Sequence, residues 1–265
     1  MIDMPSPPGD FKQVLIVAKF EGGFESWKSV LGNILILAVA SAVIMTLLVF
    51  APVRPDTPET FAASFLFPVF FLVPLAAAIF GAGSVTSEFE TKTAHLTFSN
   101  PVKRTVLAAG KFLASLFYVC CAILIFYLGC SVATYYVFGS VPAGLAVSIV
   151  PSILYGCAVL ALVFLFGFIF RNGVVAGALM FAVIFLCMPL LQLFLSDMGH
   201  APWYLLTYAA GAINAFGGPS MPKPVTIFGG SQGAPDLAIS TAVLAVYFAA
   251  VFVLSLFVLR RRDIA

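Results

Sequence analysis

Residues 84–111 read SVTSEFETKTAHLTFSNPVKRTVLAAGK. Of the polar stretches between long apolar segments, this is the one that carries several charges of both signs at close spacing. Its acids are Glu88 and Glu90, its bases are Lys92, Lys103, Arg104 and Lys111, and His95 lies between them. Gly110-Lys111 raises the chemistry of a phosphate loop. However, Thr105 stands where the first glycine of G-x-x-x-x-G-K-[ST] belongs, and Phe112 replaces the hydroxyl that would hold magnesium. Hydrolysis is disfavoured because neither HExxH nor GxSxG occurs, and His95 and His200 fall in loops on opposite sides of the predicted bundle. Cys120, Cys121, Cys130, Cys157 and Cys187 all lie in apolar runs without CxxC spacing, as small core residues do, so neither a metal centre nor a disulfide framework is expected. What the charged stretch can still do is meet a partner.

The elements that must position these residues are membrane spans. The 265 residues are 62% hydrophobic and 9% charged, against about 25% charged in an ordinary soluble domain. The mean hydropathy is +1.11. Apolar runs of about 20 residues, long enough to cross a hydrocarbon core, predict an all-α integral membrane protein with six spans in a single transmembrane domain, 1–265. They fall at 33–52, 61–87, 106–138, 145–170, 173–195 and 237–259. Pro68 and Pro74 predict a kinked second span, since membrane helices tolerate proline where neighbours re-satisfy the freed backbone.

The remaining segments have their own readings. The N-terminal MIDMPSPPGD lacks the basic and apolar regions of a cleaved signal and is expected to stay with the mature protein. Within 1–32, apolar residues from Phe11 onward recur at helical spacing among Lys12, Lys19, Glu21, Glu25 and Lys28, which predicts an amphipathic helix in the membrane interface. Segment 88–105 is a polar connector. Segment 196–236 is read as a re-entrant or interfacial helix, with Trp203, Tyr204 and Tyr208 at headgroup depth, followed by a Gly/Pro-rich loop.

Six spans put both termini on one side. Of the 13 Lys and Arg, all but Arg54 and Lys223 fall on that side, so the positive-inside rule makes the termini and the 88–105 segment cytoplasmic. The net charge of +2 is too small to suggest nucleic acid.

The spans hold no ionisable residue away from their ends, which argues against an ion-coupled transporter, where something at membrane depth must bind and release the coupling charge. Gly173 and Gly177 have the small-xxx-small spacing that permits close helix approach, within the chain or in a dimer. Gln192 and the hydroxyls at membrane depth suit helix packing, and with 28 Phe in the chain the Phe-rich second span is ambiguous. Phe67, Phe71, Met188 and Gln192 are the candidates for lining a pathway. A polytopic chain with no energy source of its own is either passive or takes work from a partner on its cytoplasmic face.

The stretch SEFETKTAHLTFSNPVKRTVLAAGKFLASL resembles the segment between the second and third helices of ABC-2-type transporter permeases. That segment reads E-x-E-x-G-T, then apolar residues, P-x-x-R and an apolar turn ending in G-K. Glu88, Glu90, Thr93, Leu96, Pro101, Arg104, Gly110 and Lys111 fit in order. Lys92 departs from the pattern, standing where the family has glycine. The N-terminal helix, the six spans and the segment before the last span match more loosely.

The resemblance implies the transmembrane subunit of an exporter, not itself an enzyme, in the plasma membrane. Its partners would be a second copy or a homologous permease and two cytoplasmic ATP-binding cassette subunits, with ATP and magnesium held on those subunits and no cofactor on this chain. Docking would involve Glu88, Glu90, Thr93, Pro101, Arg104 and Lys111 together with Glu21 and Glu25 of the N-terminal helix, while spans two and five face the pathway. On physical grounds Lys103, Arg104 and Lys111 can anchor span three at lipid headgroups or pair with the two carboxylates. An uncharged interior favours a hydrophobic or amphiphilic cargo. A non-transporting scaffold that binds a cytoplasmic partner through the same surface is the alternative.

Overall fold

The computed structural model describes residues 10–24, 39, 43, 46, 47, 57–85, 104–200, 202–217 and 236–261. Every regular element among them is helical. An N-terminal helix α1 (Asp10–Phe24) is followed by α2 (Pro58–Val85), α3 (Arg104–Phe138), α4 (Ala143–Phe170), α5 (Gly173–Asp197), the short α6 (Leu206–Ala210) and α7 (Leu237–Arg261). Five of these, α2 to α5 and α7, are long and apolar enough to cross a membrane and correspond to predicted spans two to six. Predicted span one, 33–52, lies outside the described residues apart from positions 39, 43, 46 and 47, which are helical.

The ends of α2 and its winding reflect local chemistry. The helix opens at Pro58, earlier than predicted, because Thr57 caps it: the Thr57 hydroxyl accepts from Thr60 N at 3.2 Å, and Pro58 takes the first position, where its missing N–H costs nothing. At Phe67 and Pro68 the α-helix is interrupted by a turn in which Phe67 N donates to Ser64 O, since Pro68 has no donor to continue the ladder. Residues Ala78–Ala82 are then wound as a π turn. Helix α5 carries a second π turn, Val183–Cys187, directly before Met188 and Pro189.

Short turns alternate the direction of the helices. Gly139, at φ 70°, closes α3 by donating to Tyr135 O at 2.8 Å, a left-handed stop that glycine adopts without strain. Between α4 and α5, Arg171 takes a left-handed φ of 55° and Asn172 accepts from Val175 N at 3.2 Å, so two residues suffice to reverse the chain. Helix α4 is the centre of the bundle, with Tyr155, Leu160 and Phe164 enclosed and contacts to α2, α3, α5 and α7. Helix α7 leans on α4 and leaves Val246, Val253 and Phe257 on the outside. Apolar outer surfaces of this kind suit a lipid solvent.

The alternation gathers the described basic residues of α3, α4, α5 and α7, namely Arg104, Lys111, Arg171, Arg260 and Arg261, at one end of the bundle. Glu59, Asp197 and Asp236 stand at the other. At that second end, residues 205–214 are more enclosed than an interfacial helix would be. Leu206, Ala210 and Ile213 are buried, and this segment packs on the start of α2, on α4 and on α7. Trp203 and Tyr204 stay exposed at its rim and Tyr208 is half-buried.

Candidate functional site

Helices α2 and α3 run antiparallel and are joined near the basic end by two side-chain bonds to backbone. Lys111 Nζ donates to Ser84 O at 2.9 Å, and Ser115 Oγ donates to Phe80 O at 3.0 Å. Lys111 and Ser115 are four residues apart on α3, and Phe80 and Ser84 are four apart on α2, so the contacts form a ladder. A lysine this close to a helix end ordinarily extends its ammonium toward water or headgroups. Lys111 instead turns inward and is only 5% exposed.

The neighbouring Gly110 receives α1. A methyl group built on Gly110 would lie 2.6 Å from Val17 Cγ1 and 3.0 Å from Val14 O, so α1 crosses α3 with backbone against backbone. Its half-buried residues are Gln13, Val14, Val17 and Ala18, while Phe11, Lys12, Leu15, Ile16 and Lys19 are exposed. The Gly-Lys pair that closes the charged stretch thus has two structural uses: glycine admits α1, and lysine fastens α2.

The other predicted site residues separate into groups. Glu25, Glu88, Glu90, Thr93 and Pro101 lie outside the described residues; Glu21 lies on α1, and Arg104 opens α3. Gly173 and Gly177 are buried, and a methyl on Gly177 would sit 3.6 Å from Ala78 Cβ, so this stripe meets α2 within the chain. Phe67 and Phe71 are exposed on α2, Met188 is half-buried and Gln192 is buried on α5. Phe71 stacks on Phe185 with centroids 4.7 Å apart and planes at 6°, and Phe185 stacks in turn on Phe181 at 5.6 Å. Among the described residues, no three His, Cys, Asp or Glu are grouped closely enough to hold a metal ion.

Sequence reasoning missed Ser115, Phe185 and both π turns. The Lys-xxx-Ser spacing of Lys111 and Ser115 was a signal for the first, and Pro189, four residues after Phe185, was one for the second π turn. The turn in α2 had no comparable signal, since it depends on neighbours: a methyl on Gly81 would meet Leu160 Cδ1 of α4 at 2.6 Å.

A family model described as "ABC-2 family transporter protein" matches residues 23–264. Comparison with curated proteins returns no match.

Proposed function

The chain belongs to the ABC-2 family of transporter proteins, and from that premise we propose that this multi-pass permease is the transmembrane subunit of an ATP-driven exporter in the plasma membrane. It works as a dimer, with itself or a homologous permease, above two cytoplasmic ATP-binding cassette subunits. ATP and magnesium are bound by those subunits, and the permease supplies the path. Its termini, α1 and the 88–105 segment face the cytoplasm, in keeping with the gathering of basic residues at one end.

The observation that carries this reading is the junction at Gly110 and Lys111, where α1 rests on α3 and α3 holds α2. When the ATP-binding subunits close, they press on α1 and on the charged stretch. Helix α3 passes that displacement to α2, and α2 is stacked on α5 through Phe71 and Phe185. The bundle then exchanges inward-open and outward-open arrangements, with ATP favouring one of them by binding it better. The cargo is hydrophobic or amphiphilic, taken along the α2 and α5 face by Phe67, Phe71, Met188 and Gln192.

Co-expression with a candidate ATP-binding cassette subunit tests the assignment. The two should co-purify, and ATP hydrolysis should rise when the permease is present. Absence of association together with unstimulated hydrolysis would reject the reading in favour of a passive scaffold.

A further inference from the structure

Helix α2 changes its winding close to the residues that hold it. The α-helical run Val69–Ala77 gives way to the π turn Ala78–Ala82, after which residues 83–85 are α-helical again. A π turn holds one residue more than an α turn. Rewinding it to α therefore rotates the downstream residues by about 100°, one residue's share of a turn. Ser115 bonds Phe80 O inside the π turn, whereas Lys111 bonds Ser84 O beyond it. The α-helical α3 acts as a ruler with its two donors one turn apart, and both carbonyls fit that ruler with α2 wound as it is.

The surroundings set what a second winding must move. Gly83 has no heavy atom within 4 Å of where a Cβ would stand, whereas Val85 is buried with its Cγ1 2.7 Å from where a Cβ on Gly167 of α4 would stand, so rotation beyond the turn withdraws Val85 from that seat. Ile79, within the turn, is 46% exposed. The upstream part of α2 is held by Phe61, Phe65, Val69 and Val73, enclosed in the core, and Phe80, Ala82 and Val85 of the turn and its downstream end belong to the same core.

We propose that the π turn of α2 and the Lys111/Ser115 pair form a two-position clasp. In the closed position the turn is π-wound and both carbonyls are held. In the open position the turn relaxes to α, residues 83–85 rotate, Val85 leaves its contact with Gly167, and Ser84 O leaves Lys111. The exposed line of Phe67, Phe71 and Leu75 keeps its place, so the clasp lets the connector end of α2 turn against a fixed pathway face. Its role in transport rests on the permease reading above; its existence does not.

Hydrogen–deuterium exchange on the full chain in lipid nanodiscs, without any partner, tests the clasp. Lys111→Met and Ser115→Ala should each speed exchange of the 80–85 amides about tenfold while the 157–165 amides of α4 keep their rate. Deletion of Ile79 removes the extra residue, so in that background Lys111→Met should no longer speed exchange. Unchanged exchange in both substitutions, equal acceleration in α4, or persistence of the Lys111→Met effect after the deletion would overturn the proposal. Should Lys111→Met fail to fold, Ser115→Ala, which removes one hydroxyl, carries the test alone. In a second arm, trapping the complex with ATP and vanadate should speed exchange at 80–85 in the unaltered chain, and unchanged exchange there would remove the clasp from the transport cycle. If no ATP-binding partner associates, the permease reading fails while the first arm still decides the clasp.

Discussion

Phe71 of α2 and Phe185 of α5 lie face to face, with centroids 4.7 Å apart and planes 6° from parallel. Phe185 belongs to the π turn Val183–Cys187 of α5. The extra residue in that turn sets which side chains face α2. Aromatic pairs contribute about 0.5–1.5 kcal/mol beyond their buried area. A double-mutant cycle with Phe71→Ala and Phe185→Ala should therefore give a coupling energy in that range when unfolding is followed in SDS. Additive losses would mean that the two rings merely share a surface, and the contact of Gly177 with Ala78 would then carry the join between α2 and α5.

The crossing of α1 over α3 predicts a graded series at Gly110. Alanine brings a methyl to 2.6 Å from Val17 Cγ1 and 3.0 Å from Val14 O, and leucine adds bulk that the backbone of α1 cannot avoid. Overpacking of this kind costs about 1–3 kcal/mol, and the cheaper outcome is for α1 to lift away. Limited proteolysis should cut within α1 faster in Gly110→Leu than in Gly110→Ala. Pairing Gly110→Ala with Val17→Ala should recover much of the protection. Equal protection across the series would show that α1 is held by something other than this crossing.

Lys111 separates coupling from stability. Methionine keeps the length of Lys111 and removes its charge together with the cost of desolvating it, and the bond it gives up to Ser84 O is an interhelical one, a class that averages about 0.6 kcal/mol in membranes. Lys111→Met should therefore shift the unfolding midpoint little while reducing the ATP hydrolysis that the permease stimulates in its partner. Lys111→Glu should harm both. If Lys111→Met leaves stimulated hydrolysis intact, the bond to Ser84 O is not on the path of force.

Much of this architecture could be read from composition and periodicity, since a lipid solvent leaves few options beyond apolar helices with their charges at the ends. Five of the six predicted spans appear as long apolar helices among the described residues; the second is interrupted at Pro68, whereas Pro74, the other proline expected to kink it, lies inside the α-helical run Val69–Ala77. Its start is not legible in the same way, because proline reads as a breaker until Thr57 is recognised as a cap that makes Pro58 the first helical residue. Lys111 was legible as a charge near a helix end but not as a buried clasp, because whether a lysine turns outward or inward depends on which carbonyl the next helix offers. Gly110 was legible as part of a Gly-Lys pair but not as a crossing point: a glycine in an apolar run says nothing about which helix will cross it. The enclosure of residues 205–214 was hidden for the same reason, since the surfaces that bury them belong to α2, α4 and α7, distant in sequence.

A buried polar cluster between α3 and α4 leads to a prediction of tolerance. Tyr127 of α3 lies with its hydroxyl 2.9 Å from Ser148 O, 2.9 Å from Ser148 Oγ and 2.6 Å from Ser152 Oγ of α4. Each serine also donates within its own helix, Ser148 to Leu145 O and Ser152 to Ser148 O, both at 2.9 Å. Removing the phenol therefore strands neither serine. Losing either serine hydroxyl leaves Tyr127 the carbonyl of Ser148. Interhelical hydrogen bonds in membranes average about 0.6 kcal/mol and reach about 1.7. Tyr127→Phe, Ser148→Ala and Ser152→Ala should each fall within that range in reversible SDS unfolding. The cluster would then orient α3 against α4 more than it holds them together. A loss above about 3 kcal/mol for Tyr127→Phe would contradict this redundancy and mark the phenol as the sole support of a group that the remaining contacts cannot satisfy.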